Sequence, residues 1–111
     1  MKTTPFLEYI VCDVFGEDEP ITFRAMMGAF ILYYEGRTFA IVDDEELYFK
    51  GTKENFEWYL SQGSEQFSYV RHDEMTYLYY FSVPPYIYED SAAFEEWLIM
   101  ALSSTKPPKP K

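Results

Sequence analysis

The stretch FILYYEGRTFAIVDDEELYFK, residues 30–50, decides the fold. Two β-prone runs, Phe30 to Tyr34 and Arg37 to Val42, flank Glu35-Gly36. Two such runs separated by two residues ending in glycine read as a hairpin. Asp43-Asp44-Glu45-Glu46 is a second turn, and Leu47-Tyr48-Phe49-Lys50 is the strand after it. Strands joined by turns this tight must be antiparallel. Along the first strand Phe30, Leu32 and Tyr34 point one way, and Ile31 and Tyr33 the other. Both faces are therefore substantially apolar, whereas a sheet covered on one side alternates more cleanly. Something covers at least part of the second face. The candidates are the C-terminal helix, a second copy of the chain, or another partner.

Working toward the N-terminus, Ile21 to Ala25 is a short extended run, stopped at Met26-Met27-Gly28. Residues 6–15 place Phe6, Leu7, Ile10, Val11 and Val14 on one face of a 3.6-residue period, which predicts a helix. Thr3 or Thr4 caps it, with Pro5 at the first helical position. Toward the C-terminus, Thr52 is suited to cap a helix running to about Gln62, and Gly63 suits the position after its end. Phe67 to Arg71 pairs with Met75 to Val83 across His72-Asp73-Glu74, until Pro84-Pro85 stops the strand. Asp90 or Ser91 caps a last helix carrying Phe94, Trp97, Leu98, Ala101 and Leu102 on one face. The expected architecture is α+β: an antiparallel sheet of about five strands, a helix at each end and one between the strand groups. Residues 1–105 form one domain. The tail Lys106-Pro107-Pro108-Lys109-Pro110-Lys111 reads as disordered.

Composition narrows the function. The chain has 111 residues, of which 21% are aromatic and 48% hydrophobic, with a net charge of −10. Three of the nine basic residues lie in the last six positions, so residues 1–105 carry six basic against 19 acidic groups, a net −13. Phosphate binding needs clustered Lys and Arg, so nucleic acid is not the expected partner. A single cysteine, Cys12, excludes an internal disulfide and a cysteine-rich zinc module. The longest apolar run, Ala25 to Tyr34, is short of the roughly 18 residues that cross a bilayer. The N-terminus lacks the pattern of a signal peptide. The expected location is the cytoplasm.

Pro20-Ile21-Thr22-Phe23-Arg24-Ala25-Met26-Met27-Gly28, Gly36-Arg37-Thr38-Phe39-Ala40 and Leu47-Tyr48-Phe49-Lys50 together resemble the N-terminal domain of the TfoX (Sxy) competence regulators. That family carries an Arg-x-Met-x-Gly segment, a Gly-Arg-x-Phe-Ala hairpin and a Leu-Tyr-x-Lys strand in this order. Tyr80-Phe81-Ser82-Val83-Pro84 looks like its aromatic strand, and Trp97-Leu98-Ile99-Met100-Ala101-Leu102 like its final helix. The resemblance covers about residues 6–103. It implies a secretion-chaperone-like α+β sandwich, and a bacterial regulator acting through a transcription activator, the cAMP receptor protein. It brings no catalytic residues. Full-length members carry a second, helical domain to which this sequence does not extend. Met27 stands where the family usually has Phe.

We take Arg24, Met26, Gly28, Arg37, Tyr48 and Lys50 as candidate binding residues. Arg24 is one of six basic groups in an acidic body, and its guanidinium fork suits a carboxylate or phosphate. The competing reading is an internal ion pair. Arg37 beside Gly36 reads as a solvated turn residue. His72 beside Asp73 lacks a nearby nucleophile and carries no expected catalysis. Cys12 is read as a small buried or half-buried residue. The Asp43–Glu46 run lacks the spaced ligands of a calcium loop. Trp58 and Trp97 suit core packing or an interface. Phosphate loops, metal-ligand spacings and nucleophile elbows are absent from the sequence, so neither an enzyme nor a cofactor or metal is expected. Two functions remain: a regulatory protein-interaction module, and a small acidic carrier that holds a non-native client segment. A homodimer is compatible with either.

Overall fold

The structure, a computed structural model, describes residues 4–16, 20–26 and 29–105, with Met26 described for its backbone alone. The expected basic tail, and Met27 and Gly28, lie outside these residues. Six strands form one antiparallel sheet: β1 (Ile21–Met26), β2 (Ala29–Tyr34), β3 (Arg37–Asp43), β4 (Glu46–Lys50), β5 (Gln66–Arg71) and β6 (Glu74–Ser82). Their spatial order is β1-β2-β3-β4-β6-β5. The chain runs through four strands, crosses over by a helix, and returns so that β6 lies beside β4. The α+β class and the antiparallel sheet agree with the sequence. The strand number is six rather than about five.

Three hairpins turn on two residues each. Glu35-Gly36, Asp44-Glu45 and His72-Asp73 all have positive φ, between 49° and 82°. That geometry matches the right-handed twist of paired strands, which explains why such short loops work. Two of the three turns manage it without glycine. Glu74, expected in the last turn, instead opens β6 and pairs with Arg71.

The helices lie on one side of the sheet. The N-terminal helix begins as α1 (Pro5–Glu8), with Leu7 N–H donating to the Thr4 hydroxyl at 3.1 Å. It continues as a π-helix over Tyr9–Gly16. The wider turn, closed by i to i+5 hydrogen bonds, changes which residue meets the core. Ile10 is fully buried, and Phe15, five residues on, packs against the core together with the expected Val14. Phe15 meets the rings of Phe94 at 5.1 Å, Phe39 at 5.6 Å and Phe49 at 6.3 Å. The same winding leaves Cys12 exposed rather than half-buried.

The middle helix, α2 (Phe56–Ser61), is shorter than expected. Thr52 to Asn55 instead form a turn, with Thr52 N–H donating to Asn55 Oδ1 at 2.7 Å. Asn55 Nδ2 then donates to the Ser104 hydroxyl at 2.8 Å, tying this turn to the end of the last helix. A short helix that the sequence did not announce, α3 (Pro85–Tyr88), starts at the second of the two prolines. The last helix, α4 (Ser91–Ser103), is capped by Asp90, whose carboxylate accepts from Ala93 N–H at 3.1 Å.

A bulge between β2 and β3 sets the faces. Leu32 pairs with Ala40 but Tyr33 with Thr38, so Phe39 is the extra residue. Phe39 and Ala40 are both fully buried, and Phe39 packs on Phe15, Tyr34 and Phe49. The core lies between this face and the helices, with Leu7, Ile10, Leu32, Leu47, Phe49, Tyr59 and Phe81 fully buried.

Gly51 sits where the β4 chain leaves the sheet for α2. A Cβ there would lie 2.6 Å from Phe81 Cε2 and 3.0 Å from Tyr59 Cε2. Those two rings stack at 4.9 Å and 6°, inside a fixed core. Gly51→Ala is therefore expected to destabilise the domain by about 1–3 kcal/mol through overpacking, read as a lower urea midpoint at unchanged slope. In the opposite direction, Glu45→Gly relieves a left-handed residue at φ 60° and is expected to stabilise by about 1 kcal/mol. A thermal melt that moves down rather than up would contradict that account of the turn.

Candidate functional site

The sheet face opposite the helices collects three of the six candidate residues, Arg24, Tyr48 and Lys50. Register pairs Arg24 with Ile31, Ile31 with Ile41, and Ile41 with Tyr48. These four residues form one row across β1 to β4, spanning about 14 Å at the usual strand spacing. In the neighbouring row Thr22 pairs with Tyr33 and Tyr33 with Thr38, while Lys50 pairs with Tyr80. Two residues widely separated in sequence, Arg24 and Lys50, thus reach one surface. Met26 pairs with Ala29 at the end of β1. Gly28 lies outside the described residues.

Arg37 does not belong to this face. The bulge at Phe39 turns it to the helix side, where it is half-buried rather than solvated. Its Nη1 lies 3.5 Å from the Thr105 hydroxyl, and its Nε is buried without a hydrogen-bond partner among the described residues.

Tyr48 is the best-held aromatic group on the open face. Its hydroxyl donates to Glu46 Oε2 at 2.8 Å, and the Phe67 ring meets it edge-on at 4.9 Å. Burial, first, and then the Glu46 hydrogen bond and the nearby charges of Glu46, Asp43 and Glu65 push its ionisation well above the ordinary tyrosine value. Burial also raises Tyr80 to about 12, helped by Tyr33 close by. Ile41 is only 4% exposed although no helix covers it. Its neighbours in the row are Ile31 and Tyr48. Arg24, at the β1 edge, is exposed and makes no ion pair among the described residues.

None of the other groups singled out in the sequence joins this surface as a reactive centre. His72 stands exposed in the β5–β6 turn at φ 52°. Trp58 and Trp97 pack on each other at 5.2 Å on the helix side. Among the described residues, no group of three His, Cys, Asp or Glu could hold a metal ion. No helix among them is long and apolar enough to cross a membrane. The last helix, one candidate to cover the second face, lies on the first. What the open face offers is an apolar, tyrosine-rich platform with an arginine at one edge and carboxylates near Tyr48. Sequence reasoning missed Phe67 as the partner of Tyr48. The contact joins β4 to β5, and only the crossover brings those strands near each other.

A family model for the TfoX N-terminal domain matches residues 13–105. The chain belongs to the TfoX N-terminal domain family. The match takes in all six strands, α2, α3, α4 and the end of the π-helix. No curated protein matches the chain. Within this TfoX N-terminal domain, the Arg-x-Met-x-Gly segment runs along β1 toward β2, the Gly-Arg-x-Phe-Ala segment opens β3 through the bulge, and the Leu-Tyr-x-Lys segment is β4. Arg24 of the first and Tyr48 and Lys50 of the last stand on the open face, while Phe39 and Ala40 of the middle one lie in the core.

The buried tyrosines give a pH signature. Tyr80 and Tyr88 are raised to about 12, each chiefly by burial, while Tyr48 and Tyr59 are raised further. The unfolded chain releases these protons first, near 10, so the stability they carry is complete below about pH 10 and is lost as pH rises through about 12. Urea melts should show a midpoint that falls steeply in that window, with the tyrosinate absorbance of these four side chains appearing at the unfolding transition rather than before it.

Proposed function

We propose that this TfoX N-terminal domain is a non-enzymatic regulatory module that engages a folded protein partner, such as a transcription activator, through the open face of its sheet. The observation that carries the reading is the row Arg24–Ile31–Ile41–Tyr48 on the sheet face away from the helices, with Arg24 exposed, Ile41 buried and the half-buried Tyr33 and Tyr80 beside it. Tyrosine and arginine are the residue types that most often anchor protein interfaces. The strong negative charge supports a protein rather than a nucleic-acid target, and favours a partner with basic surface near its contact. The secretion-chaperone-like sandwich that the resemblance implies fits a fold that works by presenting one sheet face.

A second reading has its own observation. On the helix side of the β5–β6 hairpin, Val70, Met75 and Tyr77 are more than half exposed, and Tyr79 is 41% exposed. An apolar patch of this kind suits a carrier that holds a non-native client segment.

The test is affinity capture from a nuclease-treated bacterial extract, comparing wild type with Arg24→Ala and Tyr33→Ala. The regulatory reading expects a transcription activator to be enriched by wild type and lost with both variants, whose melts stay within about 0.5 kcal/mol of wild type. Enrichment of exported or unfolded clients, lost instead with Tyr77→Ser, selects the carrier. Capture of neither class sets both readings aside.

A further inference from the structure

The π-helical winding of Tyr9–Gly16 does more than place Phe15 in the core. It leaves Asp13 and Val14 at the lip of a groove that runs between this segment and α4, with a volume of ≈ 680 Å³. The floor is apolar: Phe15, Phe94, Leu98 and Leu102. Tyr34 and Tyr88 contribute to the walls. Three carboxylates, Asp13, Glu89 and Glu95, stand among the lining residues, and no Lys or Arg does. These three are exposed, and none forms an ion pair among the described residues.

The groove does not end at α4. A shallower one of ≈ 390 Å³ lies on the other flank of that helix and shares Glu95 and Ile99 with the first. Ile99, 59% exposed, is the apolar crest between them. Two adjoining troughs across one helix suit an extended chain better than a compact small molecule, which fills a single enclosed cavity.

We propose that this double groove docks a basic segment of a partner protein, one in which Lys or Arg alternates with apolar residues. The apolar stems and neighbours of such a segment cover Phe94, Leu98 and Ile99, and its cationic ends reach Asp13, Glu89 and Glu95. Charge complementarity selects this occupant. A second copy of the same chain would bring further negative charge to a rim that has no cation among the described residues. The site lies on the helix side, across the sheet from the open face, and does not depend on that face being an interface. π-helical turns recur at functional sites, and here the winding supplies one lip of the groove.

The experiment uses the full chain and two fluorescent hexapeptides, one alternating leucine with arginine and one alternating leucine with glutamate, read by anisotropy at moderate salt. The arginine peptide should bind and the glutamate peptide should not. Glu95→Lys should weaken binding by at least about tenfold, and Ile99→Ser by about threefold, while Glu57→Lys leaves it within about twofold. Glu57 is exposed on α2, so that control changes the net charge equally without touching the groove. Equal losses from Glu95→Lys and Glu57→Lys would reduce the binding to general attraction and overturn the proposal. So would indifference to Ile99→Ser. Deleting residues 106–111 should leave affinity unchanged. A rise of about tenfold would show that the chain's own basic tail is the occupant, and a partner segment is not.

Discussion

The stack of Tyr59 on Phe81 holds the domain together, and it exists because residue 51 has no side chain. Both rings are fully buried, and Trp97 meets Tyr59 from α4 at 5.5 Å. The Tyr59 hydroxyl donates to the Lys50 carbonyl at 2.9 Å, at the point where β4 ends. Four elements therefore converge on one residue pair: β4, α2, β6 and α4. The crossover that brings β6 beside β4 is stapled there. Burying a tyrosine hydroxyl would be costly without a partner, and the last β4 carbonyl would be left without a donor. Each satisfies the other.

Cohesion in this molecule is aromatic rather than ionic. Phe15, Phe39, Phe49 and Phe94 form a second cluster on the other side of the core, with ring centroids 5.1–6.3 Å apart. Edge-on and tilted geometries dominate it, as the ring quadrupole favours. The acidic groups are left at the surface without internal counterions among the described residues. That separation has a functional side. Charges that the fold does not use are available to whatever the domain binds, and a high aromatic content lets a small core tolerate the self-repulsion of a net −10 chain.

Much of this was legible in the sequence. Alternation over residues 30–50 located three strands, and Glu35-Gly36 located the first hairpin. The two apolar faces of β2 led to the expectation that something covers part of the second face, and among the described residues the last helix does not, because it packs on the first. What the sequence did not show were local departures from regular periods. The π-winding adds Phe15 to the core beside Val14, and no 3.6-residue template contains that addition. The bulge at Phe39 moves Arg37 from the open face to the helix side, because a single extra residue inverts every side chain beyond it. The helix expected from Thr52 loses its first turn because Asn55 holds Thr52 and Ser104 at once. The candidate site was legible as a list of residues, three of which share a surface, but its shape depends on strand order. Tyr48 meets Phe67 only because the chain crosses over before pairing.

The pairing of β6 has one more consequence. β4 pairs with β6 only at Tyr80, Phe81 and Ser82, and Gly51 N–H donates to the Tyr79 carbonyl at 2.8 Å, so residues 74–78 are held in the sheet by β5 alone. A two-stranded ribbon is marginal by itself in water. The hairpin beyond Tyr79 can therefore open and close while the Tyr59–Phe81 stack stays intact, as a cooperative unit with a smaller opening free energy than the rest. The domain is then two layers of stability in one chain. One half runs from β1 to β4 with the helices, and the other is an arm whose amide hydrogens are expected to exchange before those of the core.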